Sequence, residues 1–353
     1  MLILGIETSC DETAAAVVES GRAVRSSVVA SQVDLHREYG GVVPEIASRA
    51  HIERILPAGR GAVREAGVTL QAVDAVAVGH RPGLIGSLLV GVAAAKALAW
   101  SLEVPIVGVD HVHAHLHAAL LDRQHVGEEI YPALGLVVSG GHTAIYRVED
   151  AVTLRRLGAT IDDAVGEAYD KAAAILGLPY PGGPEIDRLA SSVEDTRDES
   201  ALPMSMLGPE SLDFSFSGVK TALLYRVQGV PKPRNRGGGP AGEPPMPLDD
   251  RRRAALAAVF QRAAVGAVIA KLDRAFDQQP DARSLLAGGG VTANSMLRAE
   301  LARLGGTRGV GLFIPPLGYC VDNAAMIAGL AHERLVRGQS DDLSLAPVPT
   351  TAC

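Results

Sequence analysis

Apolar and polar positions follow one another in short blocks along this chain, and the blocks predict an α/β protein. Leu2-Ile3-Leu4-Gly5-Ile6 reads as a short apolar strand and Thr13 to Val18 as a second. The polar run Glu7-Thr8-Ser9-Cys10-Asp11-Glu12 between them predicts a hairpin with hydroxyls and carboxylates at its tip. Ala72 to Gly79 reads as a buried strand, Pro82-Gly83 as a break, Leu84 to Leu102 as a long helix, and Val104 to Val109 as a further strand. Near Tyr131 the cycle starts again, with Ala133 to Val138, the turn Ser139-Gly140-Gly141-His142-Thr143, and a returning strand Ala144 to Val148. Repetition of one hairpin predicts a duplicated lobe. Leu285-Leu286-Ala287 then runs into Gly288-Gly289-Gly290 and a helix from Asn294 to Leu304, and a last helix is expected over Asn323 to Arg334. The expected division is a lobe over 1–125, a second lobe over 126–330 with a Pro/Gly-rich surface insertion at 230–247, and a helix end with a loosely ordered tail over 331–353.

Composition narrows the class. At 353 residues the chain exceeds the roughly 250–300 at which single cores stop growing, which supports two lobes. Aromatic residues are only 4%, so the core must be aliphatic. A net charge of −7 argues against a broad basic surface for RNA, so any contact with nucleic acid must be local. Cys10, Cys320 and Cys353 lie too far apart for a CxxC metal site or a disulfide framework. The N-terminus lacks the basic start of a signal peptide, and the apolar run from Leu84 to Trp100 carries Lys96, which suits a buried helix better than a membrane span. A cytoplasmic protein without a membrane partner is expected.

The sharpest chemical signal is a run of histidines at 111, 113, 115 and 117. On a helix, residues four apart share a face, so His111/His115 and His113/His117 are two possible metal pairs. The stripe Val112, Leu116, Ala119, Leu120 does not choose between them, and a polar helix face with capped histidines competes with both. A zinc-protease motif needs Glu directly after the first His, where this chain has Val112. A third ligand must come from elsewhere; Asp322 is a possibility, although a helix cap also explains it. Ser139-Gly140-Gly141 and Gly288-Gly289-Gly290 offer unobstructed backbone N–H groups of the kind that hold phosphate or carbonyl oxygens. Thr160-Ile161-Asp162-Asp163 is expected to open a helix on which Asp163, Glu167 and Asp170 form an acidic stripe, with Glu167 and Lys171 as an i,i+4 pair.

Taken in order, these segments resemble the tRNA N6-adenosine threonylcarbamoyltransferase family. The resemblance runs through Gly5-Ile6-Glu7-Thr8-Ser9-Cys10-Asp11-Glu12-Thr13, Tyr39 to Arg49, Pro82-Gly83-Leu84, His111/His115, Val138 to Thr143, Asp162-Asp163 through Asp170-Lys171, Tyr180 to Pro184, Asp213 to Gly218, Ala287 to Asn294, and Asp322-Asn323. It implies an actin/Hsp70/sugar-kinase-like (ASKHA) fold of two RNase-H-like lobes around a nucleotide cleft. It implies one divalent metal ion on His111, His115 and Asp322, commonly described as iron, with zinc as the alternative. The adenylate and its threonylcarbamoyl group are implied to meet Val137, Val138, Ser139, Gly140, Gly141, Asp170, Gly183, Asp187 and Asn294. Asp11 and Glu12 are the implied catalytic or metal-supporting carboxylates. The implied reaction uses threonylcarbamoyl-AMP and tRNA, with ATP or AMP also suited to the nucleotide site, and with a shorter TsaB-like paralogue and a small TsaE-like ATPase as helpers. The chain departs from the family at His80-Arg81, where a small residue and Gly are usual. A nucleotide-regulated scaffold of the same fold, without catalysis, is the rival expectation.

Overall fold

The computed structural model describes residues 1–123, 130–193, 199–204, 207–229 and 248–350; the expected insertion at 230–247 and Cys353 lie outside them. The first sheet holds β1 (Leu2–Glu7), β2 (Glu12–Glu19), β3 (Ala23–Ser31), β4 (Ala75–Arg81) and β5 (Ile106–Asp110), in the order β3-β2-β1-β4-β5. β1, β2 and β3 pair antiparallel, whereas β4 and β5 run parallel to β1. A five-residue helix, α1 (Val33–Arg37), follows β3. Pro44, whose missing N–H is harmless in a first turn, opens α2 (Pro44–Glu65), and α3 (Ile85–Leu102) follows β4.

Strand side chains alternate between faces, so β1 divides its apolar residues between two cores. Leu4 and Ile6 pack on the side of α2 and α3, whereas Ile3 packs on the other side, against a helix from the far end of the chain, α10 (Ala324–Leu335). α10 lies so close that a Cβ on Gly5 would meet the Ala324 carbonyl oxygen at 2.3 Å.

The second sheet repeats this plan. β6 (Ala133–Val138), β7 (Thr143–Val148) and β8 (Leu154–Ala159) are antiparallel, with β9 (Ser284–Gly288) and β10 (Gly311–Phe313) parallel to β6, in the order β10-β9-β6-β7-β8. One face is covered by α5 (Val165–Ile175), α6 (Gly182–Ser191), α7 (Ser217–Gln228), α8 (Asp250–Gln278) and α9 (Ser295–Arg308). The duplicated hairpin expected from the sequence is thus a duplicated sheet.

The histidine run forms α4 (His111–Ala118), wedged between the lobes. Its Ala114 and Ala118 join the α10 core of the first lobe; its Val112 and Leu116 join β6 and β7 of the second. α3 and α8 are long and apolar enough to cross a membrane. α8 is almost wholly enclosed by the second lobe, and α3 lays Val92, Ala95 and Ala99 on the first sheet.

Two expectations need correction. The boundary set at residue 330 falls inside α10, which packs on the first sheet. The tail is also ordered up to residue 350: Asp341 bridges to Ile106 and accepts from Gly108 N, Val348 N donates to the His80 carbonyl, and Leu345 packs on the first-lobe core. A polar composition suggested looseness, but its partners lie more than two hundred residues upstream.

Candidate metal and ligand site

The tip of the β1–β2 hairpin is held from below by α3. Thr8 Oγ1 donates to the Ser87 carbonyl at 2.9 Å, and Leu84 N donates to the Ser9 carbonyl at 2.8 Å. Gly83 and Gly91 permit this approach, since a Cβ on either would meet Ser9 or Thr8 at 2.5 Å or less. The tip thereby sets the fully buried Glu7 beside α4.

Asp110 caps α4, accepting from Val112 N and His113 N, and Arg81 Nε lies 3.2 Å from its other oxygen. This is where the unusual His80-Arg81 pair goes: His80 meets the tail at Ala346, and Arg81 pairs with the cap of the histidine helix. The two histidine pairs that periodicity left equal part company here. His113 packs edge-on against Tyr146, and His117 meets the Gly21 carbonyl at 3.1 Å. His111 and His115 turn toward Asp322, with each Nε2 at 3.5 and 3.3 Å from its Oδ1. The three ligand atoms lie within 4.8 Å of one another. Asp322 is free for this because Asn323, not Asp322, caps α10 through Met326 N.

This set suits a divalent transition ion on chemical grounds: two imidazoles and one carboxylate. His115 Nε2, the nitrogen on the Asp322 side, is buried without a hydrogen bond, the state expected of a ring nitrogen whose partner is an ion. Asp322 keeps 21% of its side-chain surface accessible, whereas His115 is fully buried.

Charges at the site pull against burial. Burial lowers the pKa of His111, but the Glu7 and Asp322 carboxylates outweigh it and raise the group to about 9. Burial also lowers His115, and there it wins. Burial raises Asp322, yet His111 and His115 hold it far below the usual carboxylate range. Burial, then Asp11 and Asp322, push Glu12 up to about 9, while Ser31 Oγ donates to it at 3.0 Å. Burial, then His111 and His115, drop His142 to about 4, which brings the Ser-Gly-Gly-His turn of the second lobe electrostatically into the same site.

In that turn His142 N donates to Ser139 Oγ, and Ser139 N to the His142 carbonyl, which leaves Gly140 and Gly141 at the outside of the bend. A Cβ on Gly140, Gly141, Gly183 or Gly290 would touch nothing, so all four backbones border open space. Val137 and Val138 are fully buried, and their side chains face the core. Asp170 accepts from Gly182 N at 2.7 Å, and burial raises its pKa. Asp187 and Asn294 meet at the start of α9: Asp187 accepts from Ser295 N and Oγ, Asn294 caps through Leu297 N, and Gln261 bonds to both.

The acidic stripe does not form as expected. α5 begins at Val165, so Asp163 precedes it and is paired with Lys171 and Lys220, and Glu167 is paired with Lys171. Of the three, Asp170 remains without a cationic partner among the described residues. Sequence reasoning left Glu7 and Gln261 without a site role. Glu7 was signalled as an acid ending an apolar strand; Gln261 was signalled only as one amide inside the apolar run of α8.

A family model described as tRNA N6-adenosine threonylcarbamoyltransferase matches residues 23–329. The enzyme of that name from Sorangium cellulosum is 48% identical over 360 residues, covering 100% of this chain and 97% of its own. The chain belongs to this family. The Bacillus subtilis enzyme of the same name is 45% identical, with 97% of this chain and 93% of its own covered. Among solved structures, T. kodakarensis HypF superposes with a TM-score of 0.59 at 13% identity, over 96% of this chain and 48% of that one. Component A of the Acidaminococcus fermentans (R)-2-hydroxyglutaryl-CoA dehydratase gives 0.52 at 12%, over 95% and 99%. At such identities the likeness speaks to the fold, which is the two-lobed actin/Hsp70/sugar-kinase-like one.

Proposed function

We propose that this chain transfers the threonylcarbamoyl group from threonylcarbamoyl-AMP to N6 of the adenosine beside the anticodon, in tRNAs that read codons beginning with A. Membership of the family supports the reaction class, and the observation that carries the site is the convergence of His111, His115 and Asp322.

The exocyclic amine of adenine is a poor nucleophile because its lone pair is delocalised into the ring. The mixed anhydride of the donor supplies activation, and AMP leaves. The bend at Ser139-Gly140-Gly141 offers backbone N–H groups to the donor's oxygens. Asp187 and Asn294, locked to one another through Gln261, are suited to orient the ribose, and Asp170 and Gly183 to border the adenylate. Asp11 is the group we assign to accept the amine proton, with Glu12 beside it held protonated at neutral pH. A divalent ion on His111, His115 and Asp322, iron in our reading and zinc as the alternative, supplies a Lewis acid for the developing charge.

tRNA contact is proposed to be local, as the net charge of −7 requires, and the tRNA substrate argues for the cytoplasm. A shorter TsaB-like paralogue and a TsaE-like ATPase are proposed as helpers. Ile52 and Leu56 on α2, with Ile85 and Leu89 on α3, are each about half exposed or more and could receive an apolar partner face.

The test is direct. The purified chain, given threonylcarbamoyl-AMP, unmodified tRNA and the helper proteins, is expected to yield threonylcarbamoylated adenosine by nucleoside mass spectrometry. His111→Ala and Asp322→Ala should each cut both bound metal and yield. Full yield from both variants with metal retained removes the metal role. No product from the complete mixture favours the scaffold.

A further inference from the structure

The two histidines at this site are not held alike. His111 Nδ1 lies 3.1 Å from Glu7 Oε2 and 3.2 Å from Ser9 Oγ, whereas His115 Nδ1 has no hydrogen-bond partner. Glu7 is fully buried, and its other oxygen accepts from Ser9 N. It has no room to swing away, because Gly79 backs onto it so closely that a Cβ there would meet Oε2 at 2.4 Å.

We infer that Glu7 is the positioning residue for the metal ligand His111: its carboxylate accepts a hydrogen bond from Nδ1–H, leaves Nε2 as the lone-pair donor, and fixes the ring toward Asp322. The inference rests on the metal reading given above and extends it to a residue outside the ligand set. A carboxylate can only accept at both oxygens, so with one oxygen on Ser9 N–H the other dictates the tautomer of His111. Carboxylate–histidine–metal arrangements of this kind raise ligand basicity, and losing the carboxylate typically weakens metal binding about 10–100-fold. His115 has no such guide among the described residues and is the more adaptable ligand of the two.

Glu7→Gln is the informative change, because it keeps shape and volume but leaves one oxygen. Ser9 N–H claims that oxygen, so the new amide NH2 faces Nδ1 and drives the proton to Nε2, where the metal should bind. Cobalt(II) serves as probe, read by its affinity and its visible d–d absorption in wild type and variant at matched folding by circular dichroism. We expect binding at least tenfold weaker, with an altered d–d band, in Glu7→Gln. Equal affinity and an unchanged band overturn the positioning role. Wild-type protein that does not bind cobalt at all overturns the metal reading itself, which separates the two failures. Should Glu7→Gln not fold, long-range proton–nitrogen NMR of the metal-free wild type decides, recorded above the His111 pKa of about 9 so that the ring is neutral: an Nδ1–H tautomer at His111 supports the inference, and an Nε2–H tautomer overturns it.

Discussion

Asn323 takes the cap of α10 and so releases Asp322 one residue earlier; a single position decides whether a carboxylate serves a helix or an ion. The same economy of position applies at Glu12, which burial and the neighbouring Asp11 and Asp322 raise from an ordinary 4.5 to about 9. In the unfolded chain this group ionises at the lower value, while in the native protein it keeps its proton. The native state therefore loses ground as pH climbs between the two values, and the loss levels off above the upper one. Metal-free Glu12→Gln is expected to melt like wild type at pH below that range and several degrees higher toward its top. Matching melting curves across the whole range would contradict the raised carboxyl. At this scale the sequence was legible where residue types were scarce, as with four histidines in seven positions. It was less legible where role depends on a neighbour brought from afar, as with Glu7, whose partner lies 104 residues downstream.

Among elements, α4 does the joining, and β9 shows how tightly. A Cβ on Gly288 would meet the His115 carbonyl oxygen at 2.0 Å, so any side chain there pushes α4 away from the second sheet. Gly288→Ala is expected to lose about 1–3 kcal/mol in denaturant melts, the usual penalty of overpacking. It should also weaken cobalt binding, because the displaced helix carries two of the three ligands. Unchanged stability and binding would mean that the helix has slack. Element existence was readable where apolar runs alternate with glycine turns, as in β1, β2, β4, α3, β5 and the repeat of the hairpin, whereas β3, α2 and α8 were not read. The orientation of α4 was not, because its two apolar faces meet α10 and β6, and periodicity within eight residues carries no record of either partner.

For the molecule as a whole, the tail works as a strap across the edge of the first sheet. Removing residues 340–353 takes away the Asp341 bridge and the Leu345 contact and frees His80, beside the Arg81 that pairs with the cap of α4. The shortened chain is expected to fold but to melt a few degrees lower by calorimetry; an unchanged melting temperature would make the strap ornamental. Such long-range closure was the least legible feature, since polar residues near a terminus look alike whether docked or free. The return of α10 to the first sheet has a consequence for synthesis. A ribosome emits the histidines a little past 110 but Asp322 some two hundred residues later, followed by the alanine-rich helix that covers β1. Until then the nascent first lobe carries a bare apolar face and half a cation cradle, so a chain stalled before its last helix is a client for chaperones and proteases rather than a slow enzyme.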